Sequence, residues 1–158
     1  MRRFFILISL FIVAAGAAYW IAPRGSNQPL VDGSVVSGSF GGVSMRIELA
    51  LTEAAREKGL GGRTVLPSKY GMLFVFAKDG RYGFWMKDTL VPLDMFWLSD
   101  KGQVVYIARD VATSTYPNVF YPSVPARYVL ETAAGFGRTH GVATGTALVL
   151  KKFPSVSQ

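Results

Sequence analysis

Residues 84–98 read FWMKDTLVPLDMFWL, a stretch apolar enough to fill a protein interior, yet it carries Lys87, Asp88 and Asp94. Strand alternation over Leu93–Leu98 puts Asp94, Phe96 and Leu98 on one face and Leu93, Met95 and Trp97 on the other. Both faces are apolar, so Asp94 is expected at or in the core. An unpaired carboxylate there is costly and must either be protonated or meet a partner. Arg127, Lys87 and Arg63 are the cations that could approach it. An arginine suits best, because its planar fork pairs bidentately with a carboxylate. The backbone amides of the Lys87-Asp88-Thr89 turn are the other source of donors.

Working outward, Val43, Met45, Ile47 and Leu49 alternate with polar or small residues and predict a half-buried strand. Thr52 is an N-cap residue for a short helix over Ala54–Lys58, stopped by Gly59. Residues 59–71, with Gly59, Gly61, Gly62, Pro67 and Gly71, read as a structured loop. Further strands are predicted at Met72–Phe76, Tyr82–Met86, Leu93–Leu98, Gln103–Arg109, Arg127–Thr132 and Ala147–Leu150, separated by turn-like segments. Short, closely spaced strands with one or two short helices predict a mainly β fold, a small antiparallel sandwich or partly closed barrel. The longest irregular stretch, Asp110–Pro125, carries Tyr116, Phe120 and Tyr121 among three prolines. A loop of that length is more often functional than accidental.

Six ordered blocks carry a family resemblance: Gly59-Leu60-Gly61-Gly62-Arg63, Gly71–Phe76, Phe84–Thr89, Pro92-Leu93-Asp94, Pro125–Glu131 and Gly135-Phe136. From about Val43 to Leu150 the chain resembles the bacterial and archaeal family called domain of unknown function 192. The resemblance implies a compact, largely β fold, frequent export and no established activity. Two departures are visible. Gly61 stands where that family usually has Met, and the cysteine common before its Pro-Ala-Arg block is absent, as is every other cysteine.

Met1-Arg2-Arg3 followed by the apolar run Phe4–Ala22 reads as a signal peptide or an uncleaved membrane anchor over residues 1–22, approaching the roughly 20 residues that span a bilayer. Either way the two arginines hold the N-terminus inside and export the body, to the periplasm or the outer face of the cytoplasmic membrane. Residues 23–40, richest in Gly, Ser, Pro and Asn over Pro23–Ser34, read as a flexible tether. A single β-rich domain over 41–152 and a tail over 153–158 complete the organisation. With no cysteine, disulfides, thiol chemistry and thiolate metal sites are excluded. The net charge of +7 is spread along the chain, which argues against a nucleic-acid surface and for anionic small molecules or envelope components as partners.

Asp94 thus has two readings: an internal anchor, or part of a pocket in which Arg63, Lys87 and Arg127, with Trp85 as an apolar wall, take an anionic ligand oriented by Asp94 and Glu131. The expected function is that of a non-enzymatic exported module without cofactor or metal, binding a small anionic ligand or an envelope partner. A cell-wall or glycan hydrolase using Asp94 and Glu131 is one alternative. A structural or assembly partner using the aromatic loop 110–125 is the other. His140 is the only histidine, which excludes sites needing several, and neither Ser114 nor Ser123 sits in a nucleophile elbow. The apolar stripe Phe84, Met86, Met95, Phe96 and Trp97 is read as core.

Overall fold

A computed structural model describes residues 29–157. The signal or anchor assignment, and the tether as far as residue 28, lie outside the described residues. The chain forms one curled seven-stranded sheet. Its strands are β1 (Val35–Phe40), β2 (Val43–Ala50), β3 (Tyr70–Gly80), β4 (Leu93–Leu98), β5 (Val104–Val111), β6 (Ala126–Ala133) and β7 (Val149–Leu150), in the spatial order β5-β4-β6-β3-β2-β1-β7. The two edges meet at one end: Val104 N–H donates to Thr146 O at 2.9 Å, Gly145 N–H to Val104 O at 2.8 Å and Leu148 N–H to Gly102 O at 2.9 Å. The result is the partly closed barrel expected from the strand pattern, with two short helices, α1 (Glu53–Lys58) and α2 (Phe136–Thr139).

Not every pairing is antiparallel. β2 and β3 run parallel, joined by α1, and this crossover lays the helix against the outer face of the sheet. Thr52 caps α1 as expected, accepting from Ala55 N–H, and Gly59 ends it at φ 47°. Tyr82–Met86 is not a strand; only Phe84 bridges, to Phe120.

The tether assignment is corrected by β1. Residues 35–40 pair along their whole length with β2 through the two-residue turn Gly41-Gly42, both at positive φ, and β1 also carries β7. Gly38 is there for contact rather than flexibility, since a Cβ would sit 2.8 Å from the Val149 carbonyl oxygen. The tail is corrected too: Pro154 is buried, and the Phe153 ring lies 5.1 Å from that of Tyr128.

The sheet buries both faces. Inside the curl, Phe40, Ile47, Leu73, Phe96, Leu98 and Leu130 form one core, closed at its end by Phe136 of α2. Outside it, Leu60, Met72, Phe74, Met95, Trp97 and Val129 form a second under α1 and the connecting loops. All six residues of β4 are buried for this reason.

Asp94, fully buried, points into the inner core end beside Phe96. Its partner is neither an arginine nor the Lys87-Asp88-Thr89 turn. One carboxylate oxygen accepts from Asp110 N–H at 2.7 Å and the other from Gly137 N–H at 2.8 Å. Opposite Asp94 the pairing skips: Leu93 faces Val111 and Met95 faces Ala108, so β5 bulges at Arg109-Asp110, with Asp110 at φ 49°. The carboxylate therefore ties that bulge to the start of α2. No Cβ fits at Gly137, which would run into the Arg109 guanidinium and approach the Phe96 ring at 2.9 Å. Asp94→Asn keeps the shape but turns an NH2 against one of two buried N–H donors. It should lower unfolding stability by about 2–4 kcal/mol in urea denaturation, with an unchanged slope. A cost below about 1 kcal/mol would show that Asp94 is not the clamp.

Candidate functional site

The outer face carries a cavity of about 440 Å³, within the ~300–1,000 Å³ range of small-molecule sites. Its floor is the sheet, with Phe74 from β3 and Glu131 from β6. One wall is α1 with Gly59 and Leu60; the other is the segment after β3, contributing Phe76, Tyr82, Phe84, Trp85, Lys87 and Thr89. The two walls are tied together where Gly62 N–H donates to Asp88 O at 2.8 Å. Gly59–Arg63 and Phe84–Thr89 thus pack on each other beside the cavity.

The aromatic wall is rigid by mutual packing. Phe84 meets Phe74 edge-on at 4.8 Å and Trp97 at 5.6 Å, and Phe76 stacks on Tyr82 at 3.5 Å. Arg56 of α1 is committed: it donates to the Leu51 and Val75 carbonyls and lies 5.0 Å over the Phe76 ring. Lys58 and Lys87, also lining the cavity, form no ion pair among the described residues.

Glu131 is 4% exposed, between Met72 of β3 and Met95 of β4 on the outer face. It has no hydrogen-bond partner among the described residues, and its oxygens escape complete burial at the cavity. Burial, unopposed by any neighbouring charge or donor, pushes its carboxyl up to about 8. At neutral pH the group is mostly protonated.

Of the six residues singled out in the sequence, Trp85, Lys87 and Glu131 come together here. Arg63 instead grips Glu48 through both carboxylate oxygens at 2.9 and 2.8 Å and donates to the Tyr70 hydroxyl at 3.1 Å. Arg127 pairs with Asp79 at 2.7 Å. Asp94 faces the inner core. In the antiparallel pairing Met95, not Asp94, stands opposite Glu131, so the two carboxylates lie on opposite faces of the sheet. The paired-carboxylate hydrolase is thereby ruled out, since no cleft holds both groups. His140 packs against Phe136, ring centroids 4.5 Å apart.

Sequence reasoning missed Phe74, Phe76, Thr89 and the α1 face, and it assigned Phe84 wholly to the core. Met86, Met95, Phe96 and Trp97 of that stripe are indeed buried. The signal for the rest lay in the motif blocks either side of the cavity, Gly59–Arg63 and Phe84–Thr89, whose packing on each other no spacing could reveal.

A curled β sheet with an aromatic-walled pocket on its convex side defines a small β half-barrel protein with a ligand-sized cavity. The chain belongs to the domain of unknown function 192 family, described as Uncharacterized ACR, whose pattern matches residues 36–150. Two crystal structures are similar to it. One is of a protein from Sinorhizobium meliloti 1021 described as a candidate transcription regulator, with 29% identity, 75% of this chain and 95% of that chain covered, and a TM-score of 0.68. The other, of a protein of unknown function from Novosphingobium aromaticivorans, has 30% identity, covers 72% of this chain and 81% of that one, and has a TM-score of 0.65. No curated protein matches the chain.

Because the Glu131 carboxyl holds its proton more tightly folded than unfolded, it contributes stability that is full below about pH 4.5 and is lost as pH rises through about 8. The loss has an upper bound of roughly 5 kcal/mol. Denaturant melts of wild type and Glu131→Gln between pH 5 and pH 9 should diverge, the Gln protein losing much less stability across that window. Parallel profiles would overturn the assignment of a buried, unpartnered carboxyl.

Proposed function

We propose that this chain is an exported, non-enzymatic binding module of the cell envelope that takes a small ligand bearing an anionic group into the outer-face cavity. The observation that carries this reading is Lys87, a cation without an ion-pair partner among the described residues, at a preformed aromatic-walled cavity. Trp85, half exposed, supplies an apolar surface beside it. Such an arrangement suits a compact molecule with a flat or apolar body and one carboxylate, phosphate or sulfate. The envelope address is supported by Arg2-Arg3 and the apolar run Phe4–Ala22, and by the absence of any cysteine that periplasmic oxidation could trap.

Thermal melts of the full chain against a panel of anionic wall fragments and metabolites test the cavity. A ligand at about 100 times its Kd adds about 2.7 kcal/mol and should raise the Tm of the wild type by several degrees. Lys87→Glu and Trp85→Ala should keep the unliganded Tm within a degree or two and abolish that rise. A rise that survives both substitutions would place the ligand elsewhere. For the address, a C-terminal reporter enzyme that folds only outside the cytoplasm should be active on the full chain and silent when residues 2–22 are removed; activity in both would sink the export reading.

A further inference from the structure

Among the described residues Asp94 and Glu131 are the two buried carboxyl groups, and only Asp94 is satisfied by donors. Glu131, without a hydrogen-bond partner among the described residues, lines the cavity together with Phe74, Phe84 and Trp85. An apolar ligand would leave that carboxyl unsatisfied, and an anion placed against it would be repelled once it ionises. An alkylammonium group meets both features: it brings up to three N–H donors to the carboxylate and is attracted to aromatic faces. Lys58 and Lys87 line the same cavity yet neither pairs with Glu131, so the cavity holds an acidic and a basic docking point that the fold keeps apart.

We propose that the cavity takes a zwitterion of the amino-acid or short-peptide type, its ammonium group seated on the Glu131 carboxylate among the Phe74, Phe84 and Trp85 rings and its acidic group at Lys87. This rests on the anionic-ligand reading above and adds the cationic half of the ligand. The balance is simple. As the ammonium enters, the protonated Glu131 gives its proton to solvent, the ligand keeps its own charge, and an ion pair forms where a neutral acid stood.

Calorimetric titration of the full chain in non-ionic detergent uses three probes of one shape: phenylalanine with both charges, phenethylamine with the ammonium alone and 3-phenylpropionate with the carboxylate alone. Phenylalanine and phenethylamine should bind wild type, and Glu131→Gln, a neutral isostere that keeps the fold, should weaken both by roughly tenfold or more while leaving 3-phenylpropionate unchanged. Lys87→Met should do the reverse, weakening phenylalanine and 3-phenylpropionate but not phenethylamine. Buffers of different ionisation enthalpy at pH 7 should reveal proton release on phenethylamine binding to wild type and none with Glu131→Gln. Glu53, Arg56, Glu57, Lys58, Tyr82 and Lys87 also face the cavity, and their contribution persists in Glu131→Gln and is subtracted by the comparison. If 3-phenylpropionate alone binds, and equally in both proteins, the ammonium seat is overturned and the anionic-ligand reading stands. If no probe binds wild type, the zwitterion assignment is overturned, and the anionic-ligand reading falls with it only where the wider panel also leaves the Tm unmoved.

Discussion

Burial of the central strands on both faces is the constraint on which the rest of this structure depends. β3, β4 and β6 are sandwiched between an inner core and an outer one, so every polar group on them must be satisfied by the protein or by something that enters from outside. The two carboxyl groups in this zone meet the demand differently. Asp94 accepts backbone N–H groups from the β5 bulge and from α2, and in doing so fixes the end of the inner core. Glu131, on the next strand and the opposite face, has no such donors among the described residues.

The outer core is where the parallel pair matters. An antiparallel connection from β2 would have turned tightly at the sheet edge, but a parallel one must cross over, and α1 is that crossover. It covers the outer face only in part, and the Gly59–Arg63 loop that follows is tied to Asp88 rather than laid over Glu131. The cavity is the space left between these two coverings, walled by aromatic rings that edge-to-face contacts fix against the sheet. It follows from topology, and needs no movable lid.

How far the chain was legible follows the same physics. The period-two pattern of Val43–Ala50 and the Leu93–Leu98 stretch, apolar except for Asp94, gave strands with the observed bounds, because burial dominates there. The tether reading extends the Gly-, Ser-, Pro- and Asn-rich composition of Pro23–Ser34 as far as residue 40 and so covers β1; in the fold Gly38 admits β7 at close range and Gly41-Gly42 forms the hairpin turn. At the site, alternation identified residues that face apolar surroundings, which is why Trp85, Lys87 and Glu131 were found. It could not say which cations were already engaged. Arg63 and Arg127 are engaged by Glu48 and Asp79, partners distant in sequence that only the folded chain brings near. Nor could it predict that a bulge and the start of α2 would each deliver one N–H group to Asp94, since a bulge is a two-strand property.

The contrast between the two carboxyl groups also bears on why Glu131 is there. A leucine or methionine at that position would continue the outer core formed by Met72, Met95 and Val129, and would remove a group whose ionisation the fold resists. Structural roles for buried acids rest on partners, as at Asp94. Among the described residues Glu131 has none to organise, so it costs stability at alkaline pH without ordering a neighbour there. A site that gives up stability in this way, at the floor of an open cavity of molecular size, is the pattern expected where a chain keeps a group for what it binds rather than for what it holds together. The aromatic wall beside it is fixed by the sheet, with Phe84 packed edge-on against Phe74 and Trp97 and Tyr82 stacked on Phe76.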